Sequence, residues 1–139
     1  MITQTICNVF KVNVLKGLED FDVGSSSVYK IALYDAVADL SADTVAYTTT
    51  NEISGTGYTP GGEVLTKVSP VLSGSTAVVT FANVTWNPAS FTTRGALIYN
   101  ASTNAAVAVL NFGEDKTASS TFTVTFPTAD ANNAIIRIS

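Results

Sequence analysis

The chain has 139 residues, one cysteine, no histidine, and eleven acidic against seven basic residues for a net charge of -4. The missing histidine removes the usual general base at neutral pH, the Ser-His and Cys-His dyads and the commonest transition-metal ligand. A lone cysteine excludes an intrachain disulfide and a structural zinc cluster, and scattered basic residues under a negative net charge argue against nucleic acid as a partner.

Cys7, Phe10, Val14, Leu15 and Leu18 recur at spacings of three and four, which predicts a short helix with Thr5 or Asn8 near its start and Gly17 near its end. Val9, Val12 and Val14 are β-branched and alternate, so the alternative is an extended arm. "MITQTICNVFKVNVLKGL" shows no signal-peptide pattern, since it lacks a basic start followed by an uninterrupted apolar stretch, Lys11 and Lys16 interrupting it. No run reaches the roughly 18 apolar residues of a membrane span. The expectation is synthesis in a cytoplasm and no membrane partner. "EDFDVGSSS", residues 19–27, is acidic and then flexible, and reads as a connector.

From there the pattern is β nearly to the end. "SVYKIALYDA" alternates Tyr29, Ile31 and Leu33 against Val28, Lys30, Ala32 and Tyr34. "DLSADTVAYTTT" reads as a loop. "EIS" and "EVLTKVSPVL" flank a glycine-rich stretch, and Pro70 puts the second of these at a sheet edge or ends its ladder. "AVVTFANVTW" reads as one strand. "SFTTRGALIYN" and "AVAVLNFG" enclose "ASTN" as a hairpin. "STFTVTF" sets Phe122, Val124 and Phe126 against Thr121, Thr123 and Thr125, and "AIIRIS" closes the chain.

About eight strands without helices of useful length between them predict an all-β protein, an antiparallel β-sandwich of jelly-roll type. The length suits one domain, 1–139, with an N-terminal segment at 1–22 and the sandwich at 27–139.

"NEISGTGYTPGGE" resembles a phosphate cradle only in its glycines. Gly62 is followed by Glu63 and a strand, where a cradle needs a lysine and a helix N-terminus. The glycines instead let the chain reverse, and Tyr58 would project from that loop toward a neighbour.

Paired carboxylates are the one catalytic option left by the composition. Glu19, Asp20 and Asp22, Asp39 and Asp43, and Glu114 and Asp115 all fall in polar turns, where solvent keeps them ionised, so they read as solubilising charge rather than a glycosidase pair. Asp20 and Asp22 are the first suspects for calcium, but the D-x-D-x-D-G ladder is missing. Trp86, Phe91 and Tyr99 could stack a sugar, although aromatics in a domain this small serve chiefly as core. Cys7 reads as an apolar filler. The acceptor patterns at Asn83 and Asn100 are short enough to arise by chance. No cofactor is expected.

The order of "VYKIALYDA", "ADTVAYTTTNEISGTGYTPGG", "VTWNPASFTTRGALIYN", "AVAVLNFGEDK" and "TFTVTFPTADANNAIIRI" resembles small structural proteins of tailed bacteriophages. "MITQTICNVFKVNVL" is similar to their usual start. The comparison within that group is a capsid cement, or decoration, protein with a jelly-roll fold. The resemblance implies a non-enzymatic homodimer on the outer face of the virion, bound to the major capsid protein and stabilising contacts between its subunits. A carbohydrate-binding or fibre- and tail-associated sandwich is the alternative.

Only 13 percent of residues are charged while 46 percent are hydrophobic, so Ser, Thr and Asn supply much of the polar surface, and a domain so thinly charged can hide part of its exterior against a partner. The contact surface expected from the residues is Phe10, Leu15, Leu18 and Phe21, joined by Tyr58. The other reading of that stripe is a helix packed across the domain's own sheet.

Overall fold

A computed structural model describes residues 1–139. The elements run β1 (Thr5–Ile6), α1 (Asn8–Leu15), β2 (Tyr29–Tyr34), β3 (Glu63–Val64), β4 (Lys67–Ser73), β5 (Thr76–Phe81), β6 (Val84–Trp86), β7 (Phe91–Asn100), β8 (Ala105–Ala118), β9 (Phe122–Val124) and β10 (Ile136–Ile138). Every strand ladder is antiparallel. The strands divide into a five-stranded sheet, β1-β8-β7-β2-β3, a three-stranded sheet, β10-β5-β4, and the pair β6-β9. This is the all-β, antiparallel sandwich class with one short helix. A division of five, three and two does not confirm the finer jelly-roll topology.

The two longest β signals, "FTTRGALIYN" and "AAVAVLNFGEDKTA", form the β7–β8 hairpin at the centre. Its turn is closed by Asn104 at φ 68°, whose N–H donates to Asn100 O at 2.7 Å; asparagine tolerates this left-handed geometry better than most residues. The pairing shifts register between Thr93 and Gly95, so β8 bulges outward over residues 112–115. Glu114 and Asp115 therefore sit on a strand bulge rather than in a turn. They pair there with Lys116 at 2.7 Å and Arg94 at 2.8 Å.

β2 pairs with β7 on one side and β3 on the other and is buried on both faces. Tyr29 faces Phe21 and Phe81, while Tyr34 lies under segment 35–62, its hydroxyl donating to Thr48 O at 2.6 Å. That irregular segment acts as a cover. Of the expected strand "EIS" only a bridge between Glu52 and Tyr34 remains.

Two strands read as continuous are broken. "EVLTKVSPVL" divides because Leu65 turns its N–H to Tyr29 O at 2.8 Å and buries its side chain, after which β4 crosses to another sheet. Pro70 lies in a bulge of β4, an edge strand, where its missing N–H is tolerated. "AVVTFANVTW" divides at Ala82 and Asn83. The Asn83 side-chain oxygen accepts from Phe126 N–H at 3.0 Å, and the chain then leaves β4 and β10 to pair with β9.

The N-terminal segment is a helix, not an arm. Gly17 takes φ 72°, with Gly17 N–H donating to Val14 O and Leu18 N–H to Asn13 O, so a left-handed glycine ends α1. The segment is not a separate unit: Ile2, Cys7, Phe10 and Phe21 belong to the same 33-residue core cluster as β2, β7 and β8.

Candidate interaction surface

The five residues expected at a contact surface separate into two groups. Phe10 and Phe21 are buried and meet edge to face at 5.9 Å, with Phe21 stacked on Tyr29 at 4.4 Å. Tyr58 does not project. It packs against Trp86 and Phe91, donates its hydroxyl to Glu52, and accepts from Leu33 N–H at 2.9 Å. Leu15 is 90% exposed and Leu18 49%. The cause is helical phase: Leu15 lies about 100° around the axis from Val14 and so leaves the buried face, while Gly17 ends the helix before Leu18 can continue it.

Between α1 and β10 runs an apolar trough of about 330 Å³, walled by Phe10, Val14 and Leu15 on one side and Ile136 and Ile138 on the other. Lys11 and Arg137 stand at its rim. A second hollow of about 240 Å³ shares Phe10, Val14, Ile136 and Ile138 and continues toward Pro70, Glu19 and Asp20. Other exposed apolar side chains include Val12 on α1, Val71 and Leu72 beside the β4–β5 turn, and Val23, Val37, Val45 and Val64 elsewhere on the surface. Sequence reasoning found the helical wall. It missed Ile136 and Ile138, because the pairing of β10 with β5 that places them beside α1 is a contact across more than fifty residues of sequence.

Glu19 closes one end of this surface. Its half-buried carboxylate accepts from Asn100 Nδ2 at 3.3 and 3.5 Å and from the Tyr29 hydroxyl at 3.2 Å. Burial raises its pKa above the ordinary carboxylate value, and these hydrogen bonds oppose the rise. Asn100 is itself fully buried, which keeps the acceptor pattern at "NAS" inside the fold.

The remaining candidates are committed to structure. Asp20 Oδ1 accepts from Asp22 N–H, and Asp22 accepts from Ser69 Oγ and Gly24 N–H, so the oxygens that would face a cation close turns instead. Nowhere do three Asp, Glu or Cys side chains gather as a metal-binding group. Trp86, Phe91 and Tyr99 are all buried, and Tyr99 stacks on Tyr47 at 4.8 Å rather than beside Trp86, so they present no sugar platform. Cys7 is fully buried, and desolvation pushes its thiol up to about 11, partly offset by Lys11.

The sequence reading missed a polar clasp behind the glycine loop. Glu52 accepts from the Tyr47 hydroxyl at 2.6 Å, from Tyr58 and from Gly61 N–H at 2.8 Å, while the Tyr99 hydroxyl donates to Gly61 O at 2.8 Å. The loop reverses as its glycines require, with Gly55, Gly57, Gly61 and Gly62 all at positive φ. Searches with this chain match no protein-family model, no curated protein and no solved structure.

Proposed function

We propose that this chain is a non-enzymatic structural part of a tailed-phage head, a cement protein that binds the outer surface of the shell and stabilises contacts between major capsid subunits. The observation that carries this reading is the α1–β10 apolar trough with the exposed Leu15 in its wall, on a helix that also leaves Val12 exposed. A leucine left 90% exposed beside an open apolar channel gains from burial only when a partner covers it. The order of segments over residues 28–138, which resembles phage structural proteins, supports the same conclusion.

A clamp works by burying surface at two neighbours at once, and standard interfaces hide on the order of 1,600 Å² in total. Many copies on a lattice multiply weak contacts through effective concentration. Within this reading the chain acts as a homodimer, is made in the bacterial cytoplasm and ends on the virion exterior. Its hydroxyl-rich surface, including the threonine pairs Thr85 with Thr123 and Thr92 with Thr117 at 2.9 Å, remains toward solvent.

Protein quantification of purified particles tests the proposal. A copy number at a small-integer fraction of the major capsid subunits is expected, together with earlier bursting of heads that lack the chain on heating or osmotic shock. A few copies per particle, or none on the shell, would refute it.

A further inference from the structure

β3 covers only part of the outer edge of β2. It pairs with Lys30 and Ile31, and beyond them no ladder continues. The next backbone groups on that side go to the irregular cover instead. Leu33 N–H donates to the Tyr58 hydroxyl at 2.9 Å, Leu33 O accepts from Ile53 N–H at 3.0 Å, and Asp35 N–H donates to Asn51 O at 3.1 Å. Backbone groups at a sheet edge need partners, and an edge left open invites another strand. Residues 47–61 therefore close a length of edge that no strand of this chain reaches.

Glu52 holds this segment to itself. Its carboxylate accepts from the Tyr47 hydroxyl at 2.6 Å, from the Tyr58 hydroxyl and from Gly61 N–H at 2.8 Å. All three donors lie within residues 47–61, so the carboxylate joins the two ends of the segment and makes no bond to the sheet. Internal turns at Glu52 N–H to Thr49 O and Tyr58 N–H to Gly55 O, both 3.2 Å, add to the closure. A loop whose ends are joined and which is packed by its own side chains is one compact body rather than a string of separate contacts. To the sheet it is tied by single hydrogen bonds, among them Tyr34 hydroxyl to Thr48 O at 2.6 Å and Tyr99 hydroxyl to Gly61 O at 2.8 Å, and by the burial of Ile53 and Tyr58.

We infer that residues 47–61 are a lid over the outer edge of β2, latched by Glu52, that opens and closes as one body while the sheets stay folded. Opening bares Leu33 and Asp35 as strand edge, and closure hides them. A carboxylate presents acceptors alone, which is what three converging donors require, whereas glutamine would turn an amide N–H toward one of them. Release costs the bonds to the sheet and the burial of Ile53 and Tyr58, so the open form is the minor one. The lid lies away from the α1–β10 trough, and the inference does not depend on attachment to a shell.

Amide hydrogen exchange of the full chain at low urea concentrations tests the inference. The amides of Leu33, Asp35 and Ile53 are expected to share one opening equilibrium with one shallow urea dependence, opening more often than the β7–β8 hairpin. Gly74→Ala lies in the β4–β5 turn, where an added Cβ meets nothing within 4 Å. It is expected to speed exchange in the hairpin about ten-fold and to leave the three lid-bonded amides unchanged, because that turn stays folded when the lid opens. Glu52→Gln is expected to speed the three together by about five-fold or more. The inference is overturned if the three follow the hairpin in urea and in Gly74→Ala, which would mean that the segment leaves only with the whole fold. Unrelated rates among the three, or rates that Glu52→Gln leaves unchanged, overturn it as well.

Discussion

Asn100, fully buried at the end of β7, donates its side-chain amide to the half-buried carboxylate of Glu19 at 3.3 Å. One polar pair thereby ties the segment after α1 to the central hairpin, at the margin of the apolar flank. Because burial outweighs the hydrogen bonds, the pKa of Glu19 lies above its ordinary value of 4.5 in the folded chain. A raised folded pKa means that this group's stabilisation is fully present below its unfolded pKa and is lost as pH rises through the folded one. Glu19→Gln is expected to raise the melting temperature at pH 7 relative to wild type, with the difference closing below about pH 4, where the wild-type carboxyl is also neutral. Thermal unfolding of both proteins across pH 3 to 8 measures it. A variant that melts lower at pH 7 would show that the hydrogen bonds outweigh desolvation.

Gly62 and Gly74 both take positive φ and separate two costs. A Cβ on Gly62 would stand 1.8 Å from Ile31 O, while one on Gly74 meets nothing within 4 Å. Gly74→Ala is expected to cost about 1–2 kcal/mol, the penalty of left-handed backbone for a residue with a Cβ. Gly62→Ala adds a backbone clash and is expected to cost about 3 kcal/mol or more, beyond the usual range for single substitutions. Urea midpoints compare the two directly, and equal costs would remove the argument that the loop is held against β2.

The clasp at Glu52 orders its own substitutions. Tyr58→Phe strips the hydroxyl that donates to Glu52 and accepts from Leu33 N–H, leaving a buried donor unpaired at a cost of about 1–3 kcal/mol. Tyr47→Phe removes a single bond to the same carboxylate from a less buried ring. Its loss is expected to be the smaller, and denaturant titration that reverses the order would contradict the geometry.

Leu15 and Phe10 share a helix and have opposite roles. Leu15→Asp at a 90% exposed site is expected to change stability by no more than about 0.5 kcal/mol while abolishing attachment to stripped heads in co-sedimentation. Phe10→Ala opens the core and is expected to cost about 3–5 kcal/mol. Full attachment by a folded Leu15→Asp protein would detach the apolar flank from the proposed function.

Cys7 gives a chemical check on burial. With its thiol raised to about 11 and no exposed surface, it is expected to resist a thiol-reactive disulfide reagent at pH 8 until the chain is unfolded. Prompt labelling of the native protein would mean that α1 opens readily.

Alternation and turn chemistry lie within a few residues of one another, so they could be read locally. The hairpin around "ASTN", the half-buried strand at Phe122–Val124, the glycine reversal and the end of α1 at Gly17 all emerged that way, as did the core role of Trp86. Long-range pairing carries no such local mark. The breaks at Leu65 and Asn83 depend on partners at Tyr29 and Phe126, and nothing beside Tyr58 in sequence announces Leu33 N–H or Glu52 as its destination.

From the amino-acid sequence alone came the all-β class, the absence of histidine-dependent chemistry and the apolar stripe of the first helix, because composition and periodicity are properties of the chain before it folds. Only the tertiary structure decided which residues of that stripe remain uncovered and which strand stands opposite them. A helix turns about 100° per residue, so one step from the half-buried Val14 to Leu15 leaves the covered face, and that boundary exists only once β8 and β10 are in place.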